Sequence, residues 1–285
     1  MDVIVFLLVI SSAVFHASWN LVLRKVSGNI IVVWLSLFVG GLTVLPVVIG
    51  NAYIKGLEAS VTQTGLVCVF ASAVVHSVYF CLLARAYQKG EISIVYPITR
   101  GAGIAITAIF AMLVLNEKIT LLGALGIGLI LVGIFLIVSK GFNRQKSSEV
   151  FLMALSVGVM VGACSLIDKV GVINIDPVLY ISLLYLISGL LLTPYILWNY
   201  RWIIGATVRT YPGYIMTVGQ GSIGTYLMIL FAFTMGSVSY IMPMREFAVV
   251  VSVLMGVTFL KEEITIPKFL GITVISIGLI CLKLG

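Results

Sequence analysis

Residues Ala86-Tyr-Gln-Lys-Gly90-Glu-Ile-Ser93-Ile-Val-Tyr-Pro97 return 146 positions later as Ala232-Phe-Thr-Met-Gly236-Ser-Val-Ser239-Tyr-Ile-Met-Pro243. A second block follows: Glu117-Lys-Ile119-Thr120 returns as Glu262-Glu-Ile264-Thr265 at an offset of 145, and Gly126 and Gly133 return as Gly271 and Gly278 at that same offset. One residue of slippage between the blocks is an ordinary gap. Gly, Ser, Pro and Glu recurring in one order mark an internal duplication, each copy about half of the chain.

Composition says what solvent the copies face. Of the 285 residues, 61% are hydrophobic and 9% charged. A soluble domain averages about 45–50% apolar and about 25% charged. So little charge cannot cover a watery surface, and the remaining solvent is lipid. A span needs ~20 mostly apolar residues to cross ~30 Å of hydrocarbon. Spans are expected near 3–23, 30–50, 63–84, 92–115, 119–139, 150–168, 177–198, 213–234, 238–260 and 265–284. Backbone groups in lipid must bond within their own segment, so these are helices. Five spans per copy is an odd number, so the second copy enters the membrane from the opposite face. The expected fold is an all-α polytopic membrane protein, ten transmembrane helices arranged as two inverted five-helix repeats. The repeats are expected over 1–139 and 150–285, joined by a linker at 140–149.

The formal charge of +7 does not argue for nucleic acid, because no Lys/Arg run exceeds two residues and no polar domain exists to hold such a site. The basic residues instead set orientation. The side holding both termini receives Lys55, Lys118, Lys169 and Lys283. The other side receives Arg24, Lys25, Arg85, Lys89, Lys140, Arg144, Lys146, Arg201, Arg209, Lys261 and Lys268. Positive loops stay in the cytoplasm, so the count places both termini outside a cell (inner) membrane. The opening segment to Leu23 carries Asp2 in place of a basic leader and lacks a small-residue cleavage site, so it reads as a retained span. Cys68, Cys81, Cys164 and Cys281 lie in apolar stretches without a CxxC pair, which supports neither zinc nor redox chemistry. Gly158/Gly162, Ala124/Gly128 and Gly219/Gly221/Gly224 are expected to let helices approach closely. Trp34, Trp198 and Trp202 are expected as interfacial anchors.

At Ala86–Pro97, Glu117–Gly133 and their second copies, the chain resembles the drug/metabolite transporter superfamily in its ten-helix EamA-type branch, over nearly the whole length. His16-Ala-Ser-Trp19-Asn20 with Arg24-Lys25, Arg100-Gly101 and Arg245-Glu246 are similar to a subset of that branch. The resemblance implies a carrier driven by exchange or an ion gradient, with no ATPase of its own. Members carry amino acids, nucleotide sugars, phosphorylated sugars, quaternary amines and drugs. For some members cytoplasmic termini are implied, against the charge count, and the expectation here follows the count.

Ionisable residues inside spans are costly and are functional candidates by default. Arg100 lies about eight residues into the fourth span, ~12 Å deep at 1.5 Å per residue. Arg245 and Glu246 lie at similar depth in the ninth, entered from the other face. A guanidinium offers a planar fork for carboxylate or phosphate; Glu246 suits an ammonium group or a coupling proton. The alternative for these residues is an ion pair that only locks helices together. Pro97 and Pro243, just before the charges, remove a helical hydrogen bond each. His16, Trp19 and Asn20 share one helix face, and His76, Tyr79 and Phe80 repeat that spacing, giving two aromatic walls with polar groups that suit an amine by cation–π attraction. Tyr96, Gln220 and Tyr226 complete the candidate substrate-binding set. Glu117, Glu262 and Glu263 read as caps or interfacial groups at loop edges, and Asp168-Lys169 as the same at the end of the sixth span, a place that leaves a gating role open.

No Walker A loop, HExxH or GxSxG occurs, so neither an enzyme nor a cofactor or metal is expected. The expected function is a secondary active transporter moving a small polar or zwitterionic metabolite by alternating access, as a monomer or homodimer, with proton or counter-substrate coupling. The alternatives are a non-transporting receptor or assembly subunit and a lipid flippase.

Overall fold

The computed structural model describes residues 2–26, 29–55, 61–89, 92–138, 148–260 and 264–285. The interior of the linker 140–149, and Lys261, Glu262 and Glu263, lie outside them. Among the described residues the chain is all helix, without a strand: α1 (Val3–Arg24), α2 (Ile30–Thr43), α3 (Leu45–Lys55), α4 (Gln63–Lys89), α5 (Ile92–Val114), α6 (Leu121–Val138), α7 (Ser148–Asn174), α8 (Pro177–Tyr200), α9 (Ile204–Thr210), α10 (Pro212–Met235), α11 (Val238–Met244), α12 (Phe247–Leu260) and α13 (Ile266–Leu284). Eight described stretches are long and apolar enough to cross a bilayer, and Ile98–Val114 and Leu121–Ile137 are shorter apolar helices. Side chains such as Leu113, Leu121 and Ile266 stand 71%, 82% and 77% exposed, a surface that lipid covers without cost and water does not. The protein is a multi-pass membrane protein.

Helices form two compact units: Met1–Val14 with Val78–Leu166 and Met235–Gly285, and Phe15–Ser77 with Ile167–Thr234. Each draws on both halves of the sequence.

In the first unit, α6 and α13 meet through four glycines. A Cβ on Gly126 would stand 2.7 Å from Gly278 O, and one on Gly133 2.7 Å from Gly271 O. Gly126 faces Gly278 and Gly133 faces Gly271, so the helices run antiparallel. Exchanging each residue for its counterpart 145 positions away maps these contacts onto themselves: Gly126 also meets Leu282, and Gly271 meets Ile137. Between apolar helices in lipid there is no hydrophobic drive, and backbone approach of this kind supplies the dispersion contact instead. Gly158 and Gly162 of α7 do the same against Ala102 and Ile106 of α5. Ala124 and Gly128, expected at a helix contact, stand exposed, and a Cβ on Gly128 would meet nothing within 4 Å. Gly126, two residues away and on another face of α6, takes the partner instead.

Glu117 is a cap, as its loop position suggests. Its carboxylate accepts from Val238 N and Ser239 N, both at 2.9 Å, and from Ser239 Oγ at 2.6 Å. These are orphan donors of the first turn of α11, and the negative charge suits that helix end. Glu117→Ala is expected to cost about 1–2 kcal/mol, read as a lower unfolding temperature of the purified protein. Glu117→Gln, which keeps an acceptor, should lose less; an unfolding temperature equal to wild type in Glu117→Gln would mean that the charge does not contribute, and a loss equal to that of Glu117→Ala would mean that a neutral acceptor does nothing there.

In the second unit, α2 lies on α8. Trp34 is 8% exposed, and its Nε1 donates to Gly189 O at 3.0 Å and Thr193 Oγ1 at 3.1 Å. It is a buried pin between two helices and not the interfacial anchor expected, because Gly189 and Thr193 offer its N–H the acceptors it would otherwise find in a headgroup layer. Trp198 and Trp202 are exposed at the end of α8 and just beyond it. Ser182 Oγ donates to Gly41 O and Ser36 Oγ to Ile215 O, each at 3.0 Å. Asp176 starts α8 by accepting from Val178 N at 2.9 Å, with Pro177 at the first position.

The sixth expected span is corrected. It does not end at Asp168-Lys169: α7 continues to Asn174, and both charged residues sit inside the helix. Lys169 Nζ donates to Phe233 O, near the C-terminal end of α10, where a cation is favoured. Asp168 is satisfied by hydroxyl groups. With both charges met inside the protein, the helix need not stop.

Candidate functional site

The ninth expected span is two helices with a tight turn between them. α11 ends at Met244, Arg245 and Glu246 form the turn, and α12 starts at Phe247. Pro243 lacks an N–H and distorts the turn it sits in. The backbone answers with short-range bonds: Glu246 N to Pro243 O at 3.0 Å, Ala248 N to Arg245 O at 3.0 Å and Val249 N to Glu246 O at 2.8 Å. These are i to i−3 links, the tighter 3₁₀ pattern. The turn holds the Glu246 carboxylate inside, with the residue 2% exposed.

Arg100 of α5 meets it. Arg100 Nε donates to Glu246 Oε2 at 3.1 Å, and Nη2 lies 2.7 Å from Oε1. The contact is bidentate, fork to fork, the strongest geometry available to this pair. The Arg100 side chain is 15% exposed. The two residues are 146 apart, the offset that relates the first repeated block to its copy. A cation in one copy therefore faces an anion at the same position of the other. Arg245, next along the chain, donates from Nη1 to Met242 Sδ at 3.7 Å and places a second positive charge near the Glu246 carboxylate. The Tyr96 and Pro97 side chains lie outside the described residues.

The remaining expected residues fall into separate groups. His16 and Trp19 stack edge to face at 5.1 Å. Asn20 Nδ2 donates back to His16 O at 2.8 Å. Trp19 packs where a Cβ on Gly221 would stand 2.7 Å from its own Cβ, and its Nε1 is buried without a hydrogen-bond partner among the described residues. Tyr79 stacks on Phe80 at 5.1 Å. Gln220 is exposed and lines an open groove of about 540 Å³ with Phe15, Met216, Gly221, Gly224 and Met228.

His76 and Tyr226 are brought together, ring centroids 6.1 Å apart, around a residue that the sequence places at the end of a span and outside the substrate-binding set. Asp168 of α7 is 0% exposed. Its Oδ1 accepts from Tyr180 Oη at 2.7 Å and from Ser72 Oγ, and its Oδ2 accepts from Tyr226 Oη. Ser72 Oγ is also 3.2 Å from His76 Nδ1. Four helices, α4, α7, α8 and α10, thus supply one buried polar cluster inside the second unit. A signal for it existed: the apolar run does not stop at Asp168-Lys169 but goes on through Val170-Gly-Val-Ile173, and Ser72 and His76 are one turn apart.

The sequence profile of the EamA-like transporter family matches residues 3–139 and again 149–284. An uncharacterised protein of Methanocaldococcus jannaschii is 30% identical over 99 residues, covering 35% of this chain and 72% of its own. One solved crystal structure superposes with a TM-score of 0.77 over 98% of both chains at 13% identity, a likeness of fold.

Proposed function

We propose that this chain, which belongs to the EamA-like transporter family, is a secondary active transporter that carries a small zwitterionic metabolite across its membrane by alternating access. The observation that carries the reading is the buried, bidentate Arg100–Glu246 pair. Two charges cost several kcal/mol each to bury, and a well-packed apolar pair of the same volume is often as stable. A pair kept inside a membrane protein is therefore a functional candidate. A zwitterion is the solute that fits it. Its acid group takes the guanidinium fork, its ammonium takes the carboxylate, and one ion pair becomes two with no net charge added to the site. A lone anion or cation would leave one protein charge unpaired.

Ten spans as two inverted five-helix repeats supply the machinery for alternating access. The antiparallel, self-mapping contact of α6 with α13 supports that arrangement, because counterpart helices run in opposite directions. So does the Arg100–Glu246 pair, which joins counterpart positions.

β-Alanine, taurine and phosphoethanolamine share a two-carbon amine and differ in acid group. Thermal unfolding of the purified protein in the presence of each tests the reading. A ligand at 100 times its Kd stabilises by about 2.7 kcal/mol, a clear rise in unfolding temperature. Arg100→Lys keeps the charge but loses the fork and should weaken the best ligand about tenfold or more. Unaltered affinity in Arg100→Lys would remove Arg100 from the site.

A further inference from the structure

We infer that Asp168, reached through Ser72 from His76, is the proton-binding site that couples transport to a proton gradient. The inference rests on the transporter reading above and assigns the coupling to residues outside the Arg100–Glu246 pair.

The argument begins with what surrounds the carboxyl. Glu246 has a guanidinium on both oxygens, so a proton there would compete with Arg100 for the same two oxygens. Asp168 has hydroxyl partners only: Ser72, Tyr180 and Tyr226. No cation is paired with it among the described residues. The groups facing it are Cys68, Ser72 and His76 of α4, Tyr180 of α8 and Tyr226 of α10. The lysine beside it on α7, Lys169, is turned to Phe233 O. A buried carboxyl whose partners are all neutral can gain a proton without separating an ion pair.

Next comes the path. His76 stands at the middle of α4 (Gln63–Lys89) and is half-buried. Its Nδ1 lies 3.0 Å from Ser72 O and 3.2 Å from Ser72 Oγ. Carbonyl oxygen can only accept, so Nδ1 carries a hydrogen. Ser72 Oγ gives its own hydrogen to Asp168 Oδ1 and accepts from Nδ1. Imidazole, hydroxyl and carboxyl thus form one hydrogen-bonded chain.

Proton movement along it balances. His76, having taken a proton from water as imidazolium, passes the Nδ1 proton to Ser72 Oγ. The Ser72 hydroxyl proton passes to Asp168 Oδ1. Imidazole is left neutral with hydrogen on Nε2, Ser72 is again a hydroxyl now donating to Nδ1, and Asp168 is a neutral acid. One positive and one negative charge disappear together, so the proton's transfer leaves both groups neutral and the net charge of the cluster unchanged. Proton and substrate need not touch: each biases one shared conformational equilibrium, and their coupling follows from that linkage.

Infrared difference spectroscopy of the full-length protein in lipid, stepped in pH, reads the proton directly and needs no substrate. The expected result is a protonated-carboxyl C=O band that appears as pH falls, is lost in Asp168→Asn and persists in Glu246→Gln. Tyr226→Phe keeps the carboxyl and removes one donor, so the band should remain and move to higher frequency. This second variant keeps the test alive should Asp168→Asn fold poorly. A wild-type spectrum without the band, a band unchanged in Asp168→Asn, or one unmoved in Tyr226→Phe would overturn the assignment. In vesicles, whichever of the three zwitterions the wild type takes up should be exchanged by Asp168→Asn but no longer accumulated under an acid-outside gradient. Accumulation equal to wild type overturns the coupling role and leaves the transporter reading standing. No uptake of any of the three by the wild type sinks that reading and the coupling role with it, and the band still reports whether Asp168 takes a proton.

Discussion

Glu246→Leu is expected to destabilise the protein by about 3–5 kcal/mol and to abolish transport, whereas Arg100→Met combined with Glu246→Leu should regain most of the stability and still not transport. The single change removes the carboxylate that meets two nitrogens of a guanidinium that is 15% exposed, so a mostly buried positive charge loses its counter-ion. The double change removes one positive and one negative group together, so the Arg100 charge is not left behind, and leucine and methionine fill similar volume. Stability and function then separate. Thermal unfolding of the purified variants gives the first quantity, and uptake of β-alanine, taurine or phosphoethanolamine into vesicles gives the second.

The cycle distinguishes the two roles a buried ion pair can have. If the pair only locks α5 to the turn between α11 and α12, the apolar double variant locks them as well and transports at the wild-type rate. If the pair binds substrate, the double variant is a well-folded protein with nothing to hold a zwitterion. Transport by the double variant would therefore refute the substrate role of Arg100 and Glu246, even with the fold and the family unaffected.

The helices and the charge pair were legible in the sequence for one reason. Lipid gives neither a backbone N–H nor a charge any partner, so apolar length alone marks a helix and a charge within that length stands out. Arg100 and Glu246 sit eight or so residues inside apolar runs, and the repeat offset joins them. Asp168 was hidden by the same logic. Asp168-Lys169 adjacent to one another resemble the end of a span, and a hydropathy reading cannot see that Lys169 reaches a helix-end carbonyl while Asp168 collects hydroxyls from helices up to 96 residues away. Trp34 was misjudged for a related reason: an indole seeks one acceptor, and whether that is a headgroup or Gly189 O is decided by tertiary packing. The glycines divide likewise. Gly126 and Gly128 look alike in a helix of small residues, and only the neighbour tells them apart.

That division carries the second large effect. Gly133→Ala with Gly271→Ala should destabilise the protein by about 2–6 kcal/mol, from roughly 1–3 for each overpacked site. Gly128→Ala, in the same helix, should be neutral or stabilising by up to about 1 kcal/mol. A methyl at Gly133 would stand 2.6 Å from Ile275 Cγ1 and 2.7 Å from Gly271 O, and one at Gly271 2.6 Å from Gly133 O. Those oxygens are helix backbone and cannot swing aside, so α6 and α13 must separate along their length and lose the close contacts that hold them. Gly128 meets nothing within 4 Å, and alanine there only gains helix propensity. Thermal unfolding of the three proteins decides the matter. Equal unfolding temperatures for the double variant and Gly128→Ala would mean that the α6–α13 crossing is not held by glycine approach. A loss confined to Gly133 and Gly271 would mean that the two counterpart helices, running in opposite directions, are fastened at their shared dyad.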